Sequence, residues 1–120
     1  NDTHIPVDNT NPIPYKLAVN GRVLAQEYVV RLRNDWPDYV FKKGYKLKSL
    51  NELEEFVKAN NHLPGIPSAK EVEKSGVSIG DMVTKQMEKI EELSLYMIEL
   101  NKKVSALQAE NEQLKAAVKK

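Results

Sequence analysis

From Ile79 to Val118 the chain places apolar residues at alternating spacings of three and four, and it holds that pattern for over five heptads. With Ile90 taken as an a position, the a residues are Val83, Ile90, Met97, Val104, Asn111 and Val118. The d residues are then Ile79, Gln86, Leu93, Leu100, Leu107 and Leu114. Only Gln86 and Asn111 interrupt the apolar seam, and nothing in the stretch breaks a helix. Ser78 is placed to cap its start, with Asp81 in the first turn where a negative charge suits the helix dipole. A strict seven-residue repeat of this length predicts a left-handed supercoil rather than a single packed helix. At 1.5 Å per residue, the rod spans roughly 60 Å.

A seam of this kind needs a complement, and Asn111 argues that the complement is another copy of the chain. A lone asparagine at an a position avoids a buried, unpaired amide by meeting its own copies, which requires parallel helices in register. Glu110 and Lys115 stand at g and the following e, positions that face each other in a parallel coil; such an exposed pair contributes about 0.5 kcal/mol at most. β-Branched residues at most a positions with leucine at d favour two strands, as does the asparagine. Between Met82 and Ile98, however, Met82, Met87, Leu95, Tyr96 and Ile98 widen the apolar surface. That width suits three helices, or a globular base packed against them.

Composition excludes several classes of function. The 120 residues leave room for one small domain besides the helix, and a formal charge of +1 with 29% charged residues offers no field to attract nucleic acid or an anionic membrane. No cysteine is present, which removes disulfides, zinc–thiolate sites and cysteine nucleophiles. No apolar run approaches the ~18 residues of a membrane span, and the polar opening Asn1-Asp2-Thr3-His4 is not a signal peptide, so any export signal is expected upstream of this stretch.

Ahead of the helix the chain divides into three parts. Residues 1–14 carry Pro6, Pro12 and Pro14 among polar residues and are expected to be a linker. Residues 15–33 are two β-prone runs around Asn20-Gly21, the strongest short hairpin signal. A type I′ turn there pairs Val19 with Arg22 and sets Leu17 opposite Leu24, with Tyr28, Val30 and Leu32 continuing the same face. Residues 34–77 are expected to form a small α+β base. Asn34-Asp35-Trp36-Pro37-Asp38 is turn chemistry, and Tyr39-Val40-Phe41 and Tyr45-Lys46-Leu47 around Lys42-Lys43-Gly44 make a second, shorter hairpin. Ser49-Leu50-Asn51-Glu52 and Ser68-Ala69-Lys70-Glu71 have the capping-box form, opening helices that end at Asn60-Asn61 and at Gly76. The fold class expected is therefore α+β: a β-hairpin and helix domain, then a coiled-coil helix over 78–120.

Two strings resemble a known family. Lys16-Leu17-Ala18-Val19-Asn20-Gly21 followed by Ala25-Gln26-Glu27, and above all His62-Leu63-Pro64-Gly65-Ile66-Pro67-Ser68-Ala69 followed by Val77-Ser78-Ile79-Gly80-Asp81-Met82, are similar to the C-terminal module of Bacteroidetes tail-fibre-like and secreted surface proteins. The resemblance covers nearly all of the chain from about Asn11. It implies a stalk of short β repeats leading into a small domain and a terminal coil, on a secreted, cell-surface or phage-like particle. More distantly, the layout resembles the intramolecular chaperone domain of endosialidase-type tail fibres, which implies a trimer. A homotrimer is the expectation, with a dimer as the alternative. Self-cleavage does not carry over, because no serine with a neighbouring catalytic partner matches that family's cleavage motif, and no enzymatic activity is expected.

Isolated chemical groups are more simply read as structure. His62 has only His4 for company, which gives no metal spacing. Ser49 beside Lys48 is better explained as a cap than as a Ser-Lys dyad. Met82, Met87 and Met97 are packing material at helical spacing. Asp35 and Asp38 flank Trp36 in what reads as a turn anchored by a buried tryptophan. The rival to an assembly role is a receptor- or glycan-binding tip contacting its ligand through Trp36, Tyr39 and Tyr45, with the coil supplying avidity. No cofactor or metal is expected, and the partners are copies of the chain and a surface receptor.

Overall fold

The computed structural model describes residues 15–32 and 35–119; the expected linker over 1–14 lies outside them. In chain order the elements are a 3-10 turn Tyr39–Phe41, α1 Leu50–Asn60, α2 Ala69–Ser75 and α3 Ile79–Val118. The molecule measures 82 × 30 × 29 Å, and the 40 residues of α3 account for about 60 Å of its long dimension.

The helix boundaries follow from local chemistry. Ser49 Oγ accepts from the Glu52 N–H at 3.1 Å, and Ser68 Oγ accepts from the Glu71 N–H at 3.2 Å, as the capping-box spacing predicts. α1 ends where Asn61 turns left-handed at φ 58°, its N–H still donating to the Val57 carbonyl. α2 ends at Gly76, φ 70°, a conformation that suits a residue without a Cβ. On the exposed face of α1, Lys58 Nζ meets Glu54 at 2.9 Å, a pair contributing about 0.3–0.5 kcal/mol. Ser78 precedes α3 with its carbonyl accepting from the Met82 N–H at 2.9 Å, but its hydroxyl makes no cap bond.

The expected α+β class is corrected: among the described residues there is no β-strand, and both hairpins are absent. Residues 15–32 form an irregular arm in which Leu17 is 82% and Leu24 100% exposed. Two strands by themselves gain too little burial to hold together, and among the described residues no layer covers their apolar face. In the second case the Lys42–Tyr45 turn does form, closed by the Tyr45 N–H to the Lys42 carbonyl at 3.2 Å with Gly44 at φ 93°. Its flanks do not pair. Residues 39–41 wind into a 3-10 turn instead, with the Phe41 N–H donating to Asp38 at 3.0 Å, because Tyr39 and Tyr45 are drawn to α3 rather than to each other's backbone.

The buried centre of the base is small. Pro37 and Val40 are fully buried, Tyr96 is buried on α3, and the 3-10 turn packs against the same helix. The expected anchor was Trp36, yet its side chain is 46% exposed; the proline and valine that follow it take the interior.

Candidate functional site

Along α3, burial divides the heptad positions cleanly. All twelve seam residues named above, Ile79, Val83, Gln86, Ile90, Leu93, Met97, Leu100, Val104, Leu107, Asn111, Leu114 and Val118, are exposed. Met97 is 70% and Leu107 62% exposed, large values for side chains that cost about 2 kcal/mol to leave in water. The residues of α3 that are covered run from Gly80 to Tyr96, and none stands at a or d. Beyond Met97 the helix is exposed on every face to its end.

Two tyrosines of the base and one of α3 hold the covered side. The Tyr39 hydroxyl donates to Glu88, and the Tyr45 hydroxyl donates to Glu92 at 2.5 Å, two carboxylates one helical turn apart at f and c. The rings of Tyr39 and Tyr45 lie 6.1 Å apart, a spacing that matches that turn. Tyr96, at g, donates to the main-chain carbonyl of Lys48 at 2.7 Å. Lys89 Nζ closes the group, 3.1 Å from Glu92 and 3.4 Å from Glu88.

These bonds shape the protonation states. The hydrogen bond to Glu88, then burial, pushes the Tyr39 phenol up to about 12. Burial first, then the bond to Glu92, raises Tyr45 as well, and burial raises Tyr96. Glu91, at b, is only 5% exposed, and neither carboxylate oxygen has a hydrogen-bond partner among the described residues. Desolvation raises its pKa, with Asp38 and Glu88 adding repulsion.

Of the three residues offered as receptor contacts, Tyr39 and Tyr45 come together, but their hydroxyls are engaged inside the chain. Trp36 lies apart, lining an apolar cleft with Tyr28 and Ile79. His62 packs edge-on against Phe56, ring centroids 5.7 Å apart, in a structural role. No group of three or more His, Cys, Asp or Glu side chains among the described residues is arranged to hold a metal. Sequence reasoning missed Glu88, Glu91, Glu92 and Lys48. The i, i+4 spacing of Glu88 and Glu92 was visible, but a three-dimensional match to two tyrosines some 47 residues earlier was not. Nothing in the sequence marks Glu91.

No family model, curated protein or solved structure matches this chain.

Proposed function

We propose that this chain is an oligomerisation and folding module of a trimeric, fibre-like surface protein, in which α3 winds in parallel around its copies and holds the preceding segments in register. The observation that carries the reading is the division of α3: the base occupies only positions outside a and d, so the whole seam is left open. An isolated helix with an apolar stripe in water on all sides is marginal, and packing against sister helices removes that cost. Asn111, exposed in the seam between Leu107 and Leu114, selects an identical neighbour. Alignment at the coil raises the local concentration of the upstream segments to the order of millimolar, so that slow non-local pairing begins from matched chains.

Three strands come from the family resemblance, as does the placement on a secreted, cell-surface or phage-like particle. No helix among the described residues is long and apolar enough to cross a membrane. A two-stranded coil is the second reading, and a specific observation favours it. Tyr96 and Leu95, which widen the apolar surface of α3, are covered within one chain, leaving a and d to serve the sister helices.

Leu100→Asp combined with Leu107→Asp tests the reading. Both residues lie past the last contact of the base and are exposed in the single chain, so the base should remain folded while assembly is lost. An assembly of unchanged mass in this variant overturns the proposal.

A further inference from the structure

The arm comes close to α3 at Gly80. A Cβ added to Gly80 would stand 3.2 Å from Leu32 Cδ2 and 3.2 Å from Val30 Cγ1, tighter than ordinary van der Waals contact. Held there, Tyr28, Leu32 and Trp36 form one wall of a cleft of about 470 Å³ whose other wall is Ile79 and Val83. Among the described residues no charged side chain lines it. Ile79 is 69%, Val83 43% and Trp36 46% exposed, so this apolar surface is open to water in the single chain.

We infer that the first turn of α3 from a second copy seats in this cleft, which makes the arm and Trp36 part of the interface between copies. The inference rests on the seam reading and extends it from the helix to the base. Ile79 and Val83 are the first d and a residues of the seam. In a parallel coil held in register by Asn111, each meets its own counterpart, so the helix that covers the seam necessarily lies over the cleft. Gly80 stands at e, on the flank of that seam, so the arm leaves d and a free and broadens the apolar floor on which the neighbouring helix lands. A lining enriched in aromatic and aliphatic side chains is what the buried centre of an interface presents.

Trp36 is the sole tryptophan of the chain and reports on the cleft directly. Acrylamide quenching of its fluorescence is measured on the full chain, on the Leu100→Asp, Leu107→Asp variant and on Gly80→Ala, each with its mass from sedimentation. The full chain, assembled, should show a quenching constant reduced by about twofold or more relative to the aspartate variant, because burial in an interface core excludes the quencher. Gly80→Ala should still assemble and keep its protection, since Val30 and Leu32 need give way by only a few tenths of an ångström. Equal quenching in assembled and unassembled chains overturns the cleft while leaving the seam intact. Protection that is already present in the unassembled variant, because the arm or some other occupant closes the cleft, overturns it as well. A full chain that never assembles removes the seam and the cleft together.

Discussion

The hydroxyl of Tyr96 donates to the main-chain carbonyl of Lys48 at 2.7 Å, tying the residue before the cap of α1 to the buried side of α3. Together with the Tyr39–Glu88 and Tyr45–Glu92 bonds, it fixes which side of the long helix faces the base. The open side is decided by the same contacts, since a helix with one side covered can offer only the other to its copies.

Tyr96→Phe keeps the ring and removes the bond, leaving the Lys48 carbonyl without its donor. Stability should fall by about 1 kcal/mol in urea unfolding, with the oligomeric mass unchanged. A loss of assembly instead would show that the base and the seam are not separable.

Glu91 predicts an unusual pH dependence. Its folded carboxyl holds a proton more tightly than the unfolded one, because burial disfavours the charge. Its contribution is therefore fully present below the ordinary carboxylate range and is lost as pH rises through the elevated folded value. Glu91→Gln should raise the thermal midpoint at about pH 8 while changing it little in acid, which thermal melts at the two pH values would check.

Tyr39, pushed up to about 12, should keep its proton well beyond the ordinary phenol range while the base stays folded. Its share of stability is present below that range and lost as pH climbs through the folded value. Ultraviolet titration of Tyr39→Phe against the parent should remove one late-titrating phenol and no early one.

Asn111→Val should make the coil more stable to heat, because a desolvated amide is replaced by a β-branched side chain suited to an a position. The cost should be register. Disulfide trapping with a cysteine placed at Leu107, a d position that meets its own copies in a parallel in-register coil, should cross-link the parent efficiently and the valine variant less completely.

Much of this architecture was legible in the sequence where the causes are local. Ser49, Ser68, Asn61 and Gly76 set helix boundaries through bonds spanning three or four residues, and each boundary was readable from residue type and spacing. The heptad repeat likewise gave α3 its extent. The hairpins failed because strand pairing depends on what covers the sheet: Asn20-Gly21 favours a turn, but Leu17 and Leu24 find nothing among the described residues to bury against. Trp36 was misplaced for a related reason, since a turn can bury either its aromatic residue or its neighbours, and here Pro37 and Val40 go inside. The polar backing of Tyr39, Tyr45, Glu88 and Glu92 joins segments far apart in sequence, so only the folded chain brings it together.

Sedimentation equilibrium of the full chain at about ten micromolar tests the central claim most directly, because self-association is governed by protomer concentration. We predict a single species of three times the 13.6 kDa of one chain. Twice that mass would keep the seam and remove the third strand, whereas 13.6 kDa at this concentration would contradict the account.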